Sequence, residues 1–124
     1  MEKLKNCSIV IEIKDIETMS GTGQLFEVIF IANDGAKCKL SFDSVWDFRC
    51  ATENAYIDRG SKFSHEEEEK SSILLIENSD YIKYFEEQSS GTRPMNNLKD
   101  YIIFDAIDTV VEVLTLKEPT LTRL

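Results

Sequence analysis

SVWDFRCATENAYIDRG, residues 44–60, is the stretch whose reading decides the fold. At a period of 3.6 residues Val45, Phe48, Thr52, Ala55 and Tyr56 fall on one face, which Trp46, Cys50 and Ile57 widen. Asp47, Asn54 and Asp58 take the polar side. Ser44 with Asp47 three residues on resembles a capping box with a shorter acid, and Gly60 is a natural stop. The spacing predicts a helix over 45–59, on which Arg49 and Glu53, four apart, form an ion pair.

Upstream of it the period is two. Cys7, Ile9, Ile11 and Ile13 alternate with Ser8, Val10, Glu12 and Lys14, as in a half-buried strand. SGTG at 20–23 reads as a flexible connection. QLFEVIFIA, from 24, is apolar on both faces and so reads as a central strand. Asn33-Asp34-Gly35 predicts a tight hairpin, because glycine tolerates the positive φ such turns need. The returning strand sets Cys38, Leu40 and Phe42 against Lys37, Lys39 and Ser41. These three strands form a meander.

Downstream, SKFSHEEEEK is a loop and SILLIE, 72–77, a short buried strand. Ser79 caps a second helix, DYIKYFEEQSS, with Tyr81, Ile82, Phe85 and Gln88 three or four apart; Gly91 ends it and Pro94 prevents its resumption. YIIFD (101–105) and VVEVLTL (110–116) are closing strands around a turn at 106–109, and the tail KEPTLTRL frays. The expectation is a single α+β domain over 1–124. Its mostly antiparallel sheet has about six strands in the order βββ-α-β-α-ββ, with two helices on one side.

Composition bounds the function. The chain has 124 residues, 42% hydrophobic and 30% charged, which is globular and large enough to bury a core without metal or disulfides. No apolar run approaches the roughly 20 residues of a membrane-spanning helix. The start, MEKLKNCSIVIEIKD, is interrupted by Glu12 and Lys14 and lacks a small-residue cleavage site, so no signal peptide and a cytosolic location are expected. Cys7, Cys38 and Cys50 lie on apolar patterns and read as buried, reduced thiols. The net charge is −9, and residues 43–87 concentrate it, with 12 acids against five bases. Such a field repels nucleic acid and anionic membranes and attracts basic proteins.

No segment carries a recognisable reaction. SHEEEEK, 64–70, holds the chain's single histidine, but adjacent carboxylates cannot converge on one zinc ion, and calcium's alternating loop is absent. Neither metal nor cofactor is expected. No pair of carboxylates has the opposed environments of an acid and a base; Asp105 and Asp108 read as turn formers, and Glu112 as a strand residue on the wetter face. Phosphate-cradling glycine loops and a GxSxG elbow are missing. Of Trp46, Tyr56, Phe63, Tyr81 and Tyr84, most read as core; any exposed beside the acids would anchor an interface. The expected partner-binding residues are Asp58, Glu66, Glu67, Glu68, Glu69, Asp80, Tyr84, Glu86 and Glu87.

VWDFRCATENAYIDR, SILLIENSDYIKYF and DYIIFDAIDTVVEVLT, in that order, resemble the small bacterial immunity proteins that neutralise the toxin domains of contact-dependent inhibition and related polymorphic toxins. The likeness spans most of residues 40–117. It implies a cytosolic, non-enzymatic inhibitor that binds one cognate toxin, often a basic nuclease, and it supplies no catalytic residue. The alternative is a small-molecule-binding or enzymatic α+β domain using surface carboxylates.

Overall fold

The computed structural model describes residues 2–52, 64–65, 71–88 and 97–124, with the backbone alone described at 64–65. Among these residues ten strands and one helix run in the order β1 (Lys3–Asn6), β2 (Ile13–Thr22), β3 (Leu25–Ala32), β4 (Lys37–Phe42), β5 (Val45–Thr52), β6 (Ser64–His65), β7 (Ile73–Glu77), α1 (Asp80–Gln88), β8 (Lys99–Phe104), β9 (Thr109–Thr115) and β10 (Thr120–Arg123). They build a six-stranded sheet, β5-β9-β8-β7-β1-β6, and a four-stranded sheet, β10-β4-β3-β2. Every pairing is antiparallel except β1 with β6. This overturns the expected single sheet of about six strands under two helices: two sheets face each other, and among the described residues α1 is the sole helix.

The meander is as expected in its last two strands. In β3 Phe26, Val28, Phe30 and Ala32 are buried and alternate with partly covered Glu27, Ile29 and Ile31, as a strand between two neighbours requires. Gly35 takes φ +86° and donates its N–H to the Ala32 carbonyl at 2.9 Å, while Asp34 accepts the Ala36 N–H at 2.9 Å. The first strand lies further along than its alternation suggested. Residues 7–12 pack Cys7, Ile9 and Ile11 against the core, yet they are not part of a sheet strand. Ser71 and Ser72 satisfy them instead: Ile11 donates to Ser71 Oγ (3.1 Å) and Ser72 N–H to the Ile11 carbonyl (2.6 Å). Most of SGTG belongs to β2 rather than to a connection, and the turn falls at Gly23, φ +62°.

The predicted helix over 45–59 is a strand as far as residue 52, and the rest of it lies outside the described residues. A bulge explains the misreading. Val45 pairs with Thr115 and Asp47 with Leu114, so Trp46 is an extra residue. Val45 and Phe48 therefore share the inner face although three residues apart, and Thr52 follows four later. One inserted residue turned a period of two into an imitation of i, i+3, i+7. The Ser44–Asp47 capping box falls with the helix, and Glu53, the other member of the expected Arg49 pair, lies outside the described residues. The tail, expected to fray, forms β10, which pairs with β4 from Thr120↔Ser41 to Arg123↔Cys38; Arg123 also reaches Asp34 at 2.8 Å.

The main core lies between the sheets. Phe26, Phe30, Leu40 and Phe42 meet Ile73, Tyr101, Ile103, Val111 and Val113, all essentially without exposure. Each such side chain contributes about 1.5–3 kcal/mol on burial. The opposite face of the six-stranded sheet is apolar too. Leu4, Leu74, Ile76, Ile102 and Val110 form one cluster there, and α1 covers another around Tyr81, Leu98 and Leu114.

Candidate functional site: the outer face of the helix

Ser79 starts α1. Its Oγ accepts the Ile82 N–H at 3.0 Å, the expected N-cap bond, and donates at 2.5 Å to Asp100, a carboxylate buried on β8. The Asp80 N–H donates to Glu2 at 3.1 Å, so a carboxylate already sits at the positive end of the helix dipole. Tyr81 points inward. Its hydroxyl donates to Asp47 Oδ2 at 2.8 Å, and the Arg49 guanidinium lies 4.0 Å from its ring centroid. Arg49 Nη2 in turn meets Glu112 Oε1 at 3.0 Å. Glu112 is 0% exposed, which corrects its assignment to the wetter face: that face of β9 is the one covered by β5's side chains and α1. Burial first, then the bond to Asp47, pushes the Tyr81 hydroxyl well above its ordinary pKa, so it stays a donor. Trp46 and Phe85, with ring centroids 6.1 Å apart, close the apolar edge of this joint.

With Tyr81, Ile82 and Phe85 turned to the sheet, the helix turns Asp80, Lys83, Tyr84, Glu86 and Glu87 outward. Tyr84 is 58% exposed. Lys83 approaches Asp80 at 3.8 Å, whereas the last turn contains no base. Glu86 and Glu87 thus stand at the negative end of the dipole with no salt-bridge partner among the described residues, each disfavoured by a few tenths of a kcal/mol to about 1. Four of the nine expected partner-binding residues, Asp80, Tyr84, Glu86 and Glu87, come together on this one face. Asp58, Glu66, Glu67, Glu68 and Glu69 lie outside the described residues, as do Tyr56 and Phe63.

The sequence reading missed the joint beneath. A glutamate inside the apolar run VVEVL was the available signal, because a buried acid demands a cation, and Arg49 is that cation.

Elsewhere, chemistry is sparse. No group of three or more His, Cys, Asp or Glu side chains among the described residues could hold a metal ion. All three cysteines are free, but only Cys38 is buried. Cys7 is half-buried, and Cys50 is exposed because β5 is an edge strand. Partial burial raises the thiol pKa of both Cys7 and Cys50, the opposite of an activated nucleophile. A groove of about 520 Å³ runs beside β10, floored by Ile11, Ala32, Cys38 and Leu121 and rimmed by Glu12 and Arg123. Asp105 borders a neighbouring cavity. Burial pushes its carboxyl upward, but N–H bonds from Ile16, Thr109, Ile107 and Asp108 outweigh this and hold it below the usual range.

No protein-family model, curated protein or solved structure matches the chain. No helix among the described residues is long and apolar enough to cross a membrane.

Proposed function

We propose that this chain is an immunity protein of the bacterial cytosol that captures a basic toxin domain, such as a nuclease, through its acidic surface and blocks it without catalysis. The observation that carries the reading is the end of α1: two glutamates at the wrong end of a helix dipole, beside a tyrosine that is largely exposed. Acids held where they cost stability are relieved by a partner's lysines or arginines. An exposed tyrosine supplies the aromatic anchor that such interfaces favour. The acid excess over residues 43–87 would speed encounter by roughly 10- to 1,000-fold, an advantage that fades with salt.

Co-expression with the toxin domain encoded by the neighbouring gene tests the reading. The wild type should protect the cell. Changing Glu86 and Glu87 to Lys together with Tyr84→Ala should slow association and weaken protection, and so should changing Glu66, Glu67, Glu68 and Glu69 to Lys. A wild type that fails to protect defeats the immunity reading. Variants that protect fully with unchanged association at low salt defeat the docking surface.

The groove beside β10 supports a second reading, a small-molecule-binding domain, since about 520 Å³ falls within the usual 300–1,000 Å³ of such sites. A ligand that raises the melting temperature of wild type but not of Leu121→Arg would favour it.

A further inference from the structure

Among the described residues strand β2 is paired along one side only, with β3. Its first half is guarded on the other side. Bulges interrupt its register at Lys14 and Glu17, the Ile16 N–H is taken by Asp105 Oδ2 at 3.0 Å, and the Lys14 carbonyl accepts the Ala106 N–H at 3.3 Å. Its second half, residues 18–22, has none of these devices. All five residues are exposed, the register with β3 is regular, and among the described residues no hydrogen bond reaches them from beyond β3. Natural edges are blunted by charge, proline or bulges, because a row of unsatisfied N–H and C=O groups invites another strand. Here there is neither charge nor proline: residues 18–26 carry no ionisable side chain, although 30% of the chain is charged. Of the other outer strands, β5 carries Asp47 and Arg49, β10 carries Arg123, and β6 is only two residues long.

The same flank is apolar. Phe48 of β5 stacks on Phe26 with ring centroids 4.4 Å apart, and its ring lies so close to Gly21 that a Cβ there would meet it at 3.1 Å. Phe48 is nevertheless 45% exposed. Met19, opposite Val28 and so on the inward side of β2, is 37% exposed.

We propose that residues 18–22 pair antiparallel with the same residues of a second copy of this chain, joining two four-stranded sheets into one of eight strands. Two-fold pairing sets residue i of one copy against residue j of the other and j against i, so a charge of one sign on the segment would be doubled across the short ladder, an arrangement a binding strand must avoid. A neutral segment satisfies that condition. On a molecule of net charge −9 it is also the part that repels a copy least. Met19 and Phe48 of each copy then cover the ladder's inner side. Five-residue pairing buries less than the roughly 1,200 Å² of a stable specific interface, so the dimer is weak and depends on concentration. It uses a surface other than α1 and stands whether or not the inhibitor reading does.

Sedimentation velocity and hydrogen exchange, from micromolar to millimolar protein, test it. The mass should rise from 14.2 kDa toward twice that value. Salt should favour the dimer by screening repulsion, and the amides of 18–22 should slow their exchange as concentration rises. Met19→Lys and Ser20→Lys, both at exposed positions, should each restore a monomer. A wild type that stays monomeric at millimolar concentration overturns the proposal. So does a dimer that ignores both lysines or leaves the 18–22 amides unprotected.

Discussion

Arg49 holds the Glu112 carboxylate where water cannot reach it. Breaking such a pair from the cationic side leaves a buried charge, at a cost of about 3–5 kcal/mol when both partners are buried. Arg49 is 43% exposed, so screening reduces that cost, and Arg49→Met is expected to lose about 2–3 kcal/mol in urea unfolding. Adding Glu112→Leu should recover most of the loss, because the stranded charge goes with it. Asp105 makes a prediction in pH. Its folded pKa is depressed, so its contribution is present above the unfolded value of about 3.9 and is lost as pH falls through the lower folded one. The stability gap between wild type and Asp105→Asn should be constant near neutrality and narrow only below about pH 4. A gap that widens on acidification would show that the four N–H bonds do not set its acidity.

At the scale of elements, Ser79 joins α1 to β8 through one hydroxyl. Ser79→Ala removes both the cap and the donor to Asp100, and about 1–2 kcal/mol should be lost, with exchange of the α1 amides accelerated first. This helix was legible because its period is unbroken from Tyr81 to Phe85 and its cap is a serine. β3, β7, β8 and β9 were legible for a matching reason, that nearly continuous apolar runs leave a strand no other reading, and β4 because its alternation is unbroken. Where the pattern is broken, the sequence misleads. The bulge at Trp46 disguised β5 as a helix. β10 has no buried residue between Thr120 and Arg123, so hydropathy gives no sign of it; its place comes from the backbone of β4. β1, four residues long, is too short for any period to emerge. The exposed residues of α1 could be read from helical periodicity alone. The joint under them could not, because Arg49 meets Glu112 from 63 positions away.

Over the whole molecule, charge and topology have separate effects. Toxin capture should weaken with salt and self-pairing of β2 should strengthen, so the two processes can be told apart in one titration. Topology governs speed. β1 pairs Lys3 with Glu77, and β5 pairs Val45 with Thr115, so the six-stranded sheet is closed by contacts between distant parts of the chain. Folds dominated by such pairings form in roughly milliseconds to seconds. Stopped-flow refolding should therefore show a main phase slower than about a millisecond, and a faster one would mean that some local unit folds first. The position of β1 also bears on supply. The third residue finds its neighbour only once the seventy-seventh has left the ribosome, and the partner of residue 45 arrives later still. A cell that relied on this chain for protection would gain none from a new copy until most of it had been made, on the order of ten seconds at about 5–20 residues per second. It would need a finished stock waiting, and its resistance would be set by how fast that stock is lost and replenished.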